Sequence, residues 1–326
     1  MRFKIPFSLI FLMLFSQALF AQQKYALVIH GGAGVMSKSA MTDERQSEYK
    51  AKLEEALLVG ENLLKNGATS TDAVVEVIKI LEDSPLFNAG KGAVFTAKGE
   101  NELDASIMEG KNLNAGAIAG VKDIKNPITA ARAVMENSEH VLLSGKGASE
   151  FARQQNLKIV KNKYFFTPSR YKSLKRLQKQ ERERTPADNT GTVGCVALDI
   201  HGNLCAGTST GGMTNKKYGR IGDSPIIGAG NYANNKTCAV SCTGHGEYFI
   251  RLGVAHDISA LMEYKNLEVA EACREEIRKL GELGGTGGVI ALDANGNIAM
   301  EFNTSGMFRG YIKSTGEKEI AIFADE

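Results

Sequence analysis

Gly191-Thr192-Val193-Gly194-Cys195-Val196-Ala197-Leu198-Asp199 opens an apolar strand directly behind a charged, loop-like segment. The pattern returns 94 positions later, where Gly191 to Leu204 is matched by Gly285-Thr286-Gly287-Gly288-Val289-Ile290-Ala291-Leu292-Asp293-Ala294-Asn295-Gly296-Asn297-Ile298. The echo continues in Thr210 and Met213 against Thr304 and Met307. Each copy reads as an apolar strand, a Gly-containing turn and a return strand, which is a β-hairpin. The unbroken apolar runs call for strands covered on both faces, and helices flanking two central β layers fit that pattern best. A hydroxyl residue at the start of such a strand becomes a new N-terminus if the chain is cut before it. A freed N-terminal Thr carries its own nucleophile and its own base, since its α-amine, with a reference pKa of roughly 7.7–8.0, sits beside its hydroxyl.

The amino-terminal 21 residues have a different character. Arg2 and Lys4 precede a nearly unbroken apolar run at 7–15, and small or apolar residues follow at 18–21. That order reads as a secretory signal peptide cut after Ala21, which sends the protein to a periplasm or beyond. The apolar run is shorter than the ~20 residues of a membrane-spanning helix. Removing it takes away two of the 39 basic residues and none of the 37 acidic ones, leaving a neutral chain. Neutrality without a concentrated basic face argues against nucleic acid as a partner. The five cysteines, Cys195, Cys205, Cys238, Cys242 and Cys273, have no CxxC spacing and lie mostly in apolar runs, so they read as structural.

Before the first hairpin, a strand at 25–29 runs into the glycine turn His30-Gly31-Gly32-Ala33-Gly34. Helices are expected at 44–65, at 70–82 with Ser70-Thr71-Asp72 as its cap, near 127–137 and near 147–155. Strands are expected at 102–108 and 115–121, and helices at 247–262 and 267–280 between the two hairpins. Residues 156–191 read as a linker. Its part at 169–189 is crowded with Arg170, Lys172, Lys175, Arg176, Lys179, Arg182 and Arg184, and it is expected to be helical first and loose at the end, where nicks concentrate.

Four constellations could carry chemistry. Gly207-Thr208-Ser209-Thr210-Gly211 matches a G-x-S-x-G nucleophile elbow, but the elbow needs a helix after the Ser and Gly212 to Gly219 has no helical pattern. Arg220 and Asp223 share a glycine-rich loop: the guanidinium could fork onto an α-carboxylate and the carboxylate could take an α-ammonium, or the two could fasten each other. Thr243 and Gly244 offer a hydroxyl and a backbone N–H at a strand end, a combination able to stabilise an oxyanion. His245 could be a general base or a loop residue. The five histidines have no zinc-ligand spacing.

Together these segments resemble the plant-type asparaginase and isoaspartyl peptidase family of the N-terminal nucleophile hydrolases. The likeness lies in Val28 to Gly34, Pro85 to Phe95, Glu102 to Met108, Gly191 to Gly194, Thr208 to Lys216, Gly219 to Pro225 and Ser241 to Gly244, in that order. The resemblance implies an α+β fold, a four-layer αββα sandwich in which the precursor cuts itself between Gly191 and Thr192. An α subunit (22–191) and a β subunit (192–326) would then form one domain and pair as (αβ)₂. Thr192 is the implied nucleophile and Thr210 its support. Thr243 and Gly244 form the implied oxyanion hole, and Asn88 lies nearby. Arg220 would bind the substrate α-carboxylate, with Asp223 and the Gly246 carbonyl on its α-ammonium. The implied reaction is hydrolysis of isoaspartyl dipeptides and L-asparagine to L-aspartate, with no cofactor in the chemistry. Backbone carbonyls of Leu81, Glu82, Ser84, Phe87, Ala89 and Lys91 would hold a structural sodium ion. The glycosylasparaginase branch is the alternative within the family. A Ser209 hydrolase and a non-catalytic amino-acid-binding protein are alternatives outside it.

Overall fold

The computed structural model describes residues 24–34, 36, 38–182 and 191–326; the expected leader at 1–21 and the end of the linker at 183–190 lie outside the described residues. The sequence repeat folds as two hairpins. The first joins β5 (Val193–Leu198) to β6 (Leu204–Thr210), the second β9 (Gly287–Asp293) to β10 (Ile298–Phe302). One turn chemistry builds both. Asp199 Oδ1 accepts the backbone N–H groups of His201 and Asn203, each at 2.9 Å, and Asp293 Oδ1 accepts those of Asn295 and Asn297, each at 2.8 Å. Gly202 and Gly296 then turn with φ of 79° and 77°, a conformation glycine adopts without steric penalty.

The two copies belong to different sheets. The first hairpin is central in an eight-stranded sheet of order β12-β11-β1-β5-β6-β2-β3-β4. Its other members are β1 (Ala26–Gly34), β2 (Leu103–Glu109), β3 (Ala115–Val121), β4 (Leu142–Ser144), β11 (Gly306–Lys313) and β12 (Lys318–Phe323). The second hairpin edges a four-stranded sheet of order β10-β9-β8-β7, with β7 (Asn231–Ala233) and β8 (Cys238–Gly244). Strand alternation divides the core. Leu27 and Ile29 of β1 pack with Leu53, Val77 and Ile78 of the helices, while Ala26 and Val28 pack with Ala239, Ile290 and Leu292 of the other sheet. On the second sheet Val240, Cys242, Val289 and Ala291 pack with Phe249, Ile258, Cys273 and Leu280. The fold is thus a mixed α and β structure whose central strands are apolar on both sides.

Helix α1 (Asp43–Lys65) starts at the Thr42 cap. Helix α2 (Ser70–Asp83) is capped by Thr69, whose hydroxyl accepts the Asp72 N–H at 3.1 Å, one residue earlier than the Ser70-Thr71-Asp72 expectation. Helices α3 (Pro127–Asn137) and α4 (Gly145–Gln154) follow, and α5 (Pro168–Arg182) forms from the basic segment ahead of the linker's end. The helix expected at 247–262 is two helices, α6 (Gly246–Leu252) and α7 (Val254–Lys265), because Gly253 turns left-handed at φ 63° between them. Helix α8 (Val269–Glu282) completes the set. All five cysteines are buried and unpaired, and burial pushes the Cys238 thiol up to about 12, so these side chains act as small hydrophobes.

Candidate active site

Strand pairing brings the nucleophile candidate to its neighbours. Val193 faces Ser209 across the β5–β6 ladder, so Thr192, one step earlier, meets Thr210, one step later. The two hydroxyls are bonded, Thr192 Oγ1 donating to Thr210 Oγ1 at 3.1 Å. Thr210 Oγ1 also accepts the Gly212 N–H at 3.0 Å, which fixes its lone pairs. From the second sheet, Thr243 Oγ1 accepts the Thr192 N–H at 3.2 Å. On the far side His30 Nδ1 lies 3.1 Å from the Thr192 carbonyl oxygen, and His30 Nε2 lies 3.0 Å from Ser241 Oγ. Complete burial lowers the His30 pKa to about 3, so the ring is neutral; a carbonyl only accepts, so a bond to it puts the proton on Nδ1. Ser241 Oγ in turn contacts Thr208 Oγ1 at 2.7 Å, and Thr208 Oγ1 donates to the Gly230 carbonyl at 3.1 Å.

Gly191 is as constrained as Thr192. A Cβ on it would lie 2.2 Å from Gly32 Cα, and one on Gly32, whose φ is 111°, would lie 2.6 Å from Gly191 Cα. The His30-Gly31-Gly32 turn and the residue before Thr192 are therefore backbone against backbone, which two glycines allow.

A narrow cavity opens at Thr192 and is lined by Thr210, Arg220, Asp223 and Gly244. Arg220 and Asp223 do not fasten each other. Arg220 is held side-on by Glu247, Nε to Oε1 and Nη2 to Oε2, both at 2.8 Å. Asp223 is 4 % exposed and its Oδ2 has no hydrogen-bond partner among the described residues. Burial, against the pull of Arg220, raises its pKa to about 7. A buried, unsatisfied carboxylate at a cavity wall is a ready acceptor for an ammonium. Gly246 allows this arrangement: a Cβ there would lie 2.6 Å from Asp223 Oδ1 and 3.0 Å from Arg220 Nη2. His245, at the start of α6, stacks edge-on against Tyr248 and lies 3.5 Å from Glu247 Oε2.

Asn88 supports the site from below. Its Nδ2 donates to the Gly212 carbonyl at 2.7 Å and its Oδ1 accepts the Val94 N–H at 3.0 Å, tying the turn after Thr210 to the 85–95 segment. That segment, with the end of α2, holds Leu81, Glu82, Ser84, Phe87, Ala89 and Lys91. Gly90 and Gly92 lie against two of its carbonyl oxygens: their Cβ positions would fall 2.3 Å from Glu82 O and 1.9 Å from Phe87 O. Such hard oxygens fit an alkali cation. Among the described residues no cluster of three His, Cys, Asp or Glu side chains is placed to hold a metal. Ser209 does not belong to the site. It faces away from Thr210 on β6, is fully buried, and donates to Glu82 Oε1 at 2.7 Å, and an extended loop follows where an elbow requires a helix.

The chain is similar over most of its length to known proteins. A family described as Asparaginase matches residues 23–322. The chain belongs to the asparaginase family. It is 49 % identical over 297 residues to the isoaspartyl peptidase of Escherichia coli, covering 88 % of this chain and 92 % of that one. It is 40 % identical over 293 residues to the isoaspartyl peptidase/L-asparaginase of Xenopus laevis, covering 89 % and 93 %. The plant-type L-asparaginase of Pyrococcus furiosus is 41 % identical over 312 residues, covering 90 % and 98 %. Within this family member, Glu247, His30 and Ser241 are the site residues that motif reading missed. A charge-balance argument would have found Glu247, since an Arg at a cavity rim needs a carboxylate partner.

Proposed function

We propose that the protein is an isoaspartyl peptidase and L-asparaginase that matures by cutting itself between Gly191 and Thr192. The observation that carries the reading is the convergence of Thr192, Thr210, Gly244, Arg220 and Asp223 on one cavity, with Thr243 bonded to Thr192. In maturation the Thr192 hydroxyl attacks the Gly191 carbonyl, the acyl group moves from N to O, and water releases a Gly191 carboxylate and the Thr192 amine. The described packing of helices on both sheets supports a four-layer αββα sandwich in which the α and β subunits stay together as one domain, and the family resemblance carries the further proposal that they pair as (αβ)₂.

In turnover, Arg220 and Asp223 with the Gly246 carbonyl hold the two charged groups of the aspartyl moiety. The Thr192 amine takes the hydroxyl proton as Oγ attacks the side-chain carbonyl, then gives it to the departing nitrogen. Thr243 and Gly244 stabilise the oxyanion. Water, activated by the same amine, frees L-aspartate. A sodium ion on the 81–91 carbonyls would steady Asn88 and its turn without entering the chemistry. The leader at 1–21 directs export.

Intact-mass measurement of the purified protein tests the reading. Two fragments are expected, one beginning at Thr192, and Thr192→Ala should leave a single inactive chain. Ammonia release from L-asparagine by an uncut chain would overturn it.

A further inference from the structure

A second and larger cavity, of about 270 Å³, lies on the other side of the Gly191–Thr192 bond. Gly191 and Gly32 line this cavity while Thr192 lines the one holding Arg220 and Asp223, so the peptide bond between them is the partition. Its volume is near the lower end, about 300 Å³, of small-molecule pockets. Its apolar wall is a cluster of three rings from distant segments. Tyr49 stacks on Phe308 with centroids 4.1 Å apart, and Phe87 meets them edge-on at 5.5 and 6.1 Å.

Its polar wall is Arg170 of α5. The carbonyls of Gly92 and Leu86 fix the guanidinium, accepting from Nε at 3.0 Å and Nη2 at 3.2 Å. Arg45, 4.9 Å above the Tyr49 ring, is paired with Glu48 at 2.7 Å and lies outside the cavity lining. Burial and the nearby Arg45 charge hold the Arg170 pKa below the usual guanidinium value, so an anion entering here would meet a desolvated, electropositive wall.

We propose that this cavity is the subsite for the leaving residue of an isoaspartyl dipeptide, and that it takes an apolar or aromatic residue whose α-carboxylate faces Arg170. The inference rests on the isoaspartyl peptidase reading of Thr192. Scission removes Gly191 from the partition and leaves the Thr192 amine at the gateway. As the Thr192 Oγ–carbon bond forms and the carbon–nitrogen bond breaks, that amine protonates the departing nitrogen. The aspartyl half is fixed on Arg220 and Asp223, so the other half leaves from the side of the amine, where Gly191 lay. L-Asparagine, which releases only ammonia, uses none of the aromatic wall.

The experiment compares kcat/KM of the mature enzyme on β-Asp-Phe, β-Asp-Gly, β-Asp-Phe amide and L-asparagine. Wild type should favour β-Asp-Phe over both β-Asp-Gly and the amide by about tenfold. Tyr49→Ala should bring the β-Asp-Phe to L-asparagine ratio down to that of β-Asp-Gly, and Arg170→Gln should erase the preference of acid over amide. Equal wild-type rates on the Phe and Gly peptides, or on acid and amide, would overturn the assignment, as would variants in which dipeptide and L-asparagine turnover fall in parallel. The wild-type peptides alone decide the matter if a variant fails to fold. Absence of any wild-type turnover would sink the activity reading instead.

Discussion

Replacing Gly191 by Ala adds one methyl group, and the structure says where it goes. Its Cβ would lie 2.2 Å from Gly32 Cα, 2.8 Å from Gly32 C and 3.0 Å from Ala33 N, all backbone atoms that no rotamer change can move aside. Ordinary contact begins at 3.4 Å, so the shortfall is about 1.2 Å. Some of that displacement must pass to the Gly191 carbonyl, the group that Thr192 Oγ1 attacks in the proposed maturation. A misplacement of about 1 Å in an aligned intramolecular reaction costs on the order of 100-fold. Gly191→Ala should therefore slow maturation by about 100-fold in a time course of intact masses, while Gly147→Ala, which meets nothing within 4 Å, should mature at the wild-type rate. Because the added methyl group stays on the far side of the cut, whatever fraction matures should show wild-type kcat on L-asparagine. Maturation of Gly191→Ala within a factor of three of wild type would refute the role given to the Gly191–Gly32 contact.

Three further outcomes follow from the site. Thr210→Val removes the hydroxyl that Thr192 Oγ1 is bonded to and should lower kcat per mature subunit by about 100-fold, with Thr210→Ser recovering most of it; equal kcat in Val and Ser would deny the bond a role. Asp223 must be ionised to hold an ammonium and its pKa is raised to about 7, so L-aspartate should bind more tightly as pH rises from about 6 to 8 in calorimetric titrations, and Asp223→Asn should flatten that slope. Burial raises the Glu82 pKa from 4.5 to about 8. Between those values the unfolded state binds fewer protons than the folded one, so this residue makes stability fall as pH rises; Glu82→Gln should shift the urea midpoint upward more at pH 8 than at pH 5.

The hairpins and most helix boundaries were legible because their causes are local. The Asp199 and Asp293 turns are closed by residues within four positions, and α3 and β3 fall where their patterns place them. Thr210 as the support of Thr192 came only with the family resemblance, although one hairpin brings the two together. The rest is long-range. His30 meets Thr192 across 162 positions and Ser241 across 211, and the wall of Tyr49, Phe87 and Phe308 gathers three elements that no spacing rule connects. The Arg220–Asp223 alternatives were separated only by Glu247, whose bidentate hold releases Asp223 to face the cavity.

The chain of contacts from the Thr192 carbonyl through His30, Ser241 and Thr208 to the Gly230 carbonyl has an arithmetic of its own. It contains four contacts and is closed at both ends by groups that only accept. A neutral imidazole and two hydroxyls supply one hydrogen each. With the His30 proton on Nδ1 and Thr208 Oγ1 donating to Gly230, both ends are filled, and the single Ser241 hydrogen can serve either His30 Nε2 or Thr208 Oγ1 but not both. The anchor of Thr192 in one sheet is thereby tied to a turn beside the other through a serine hydroxyl that has two acceptors and one hydrogen.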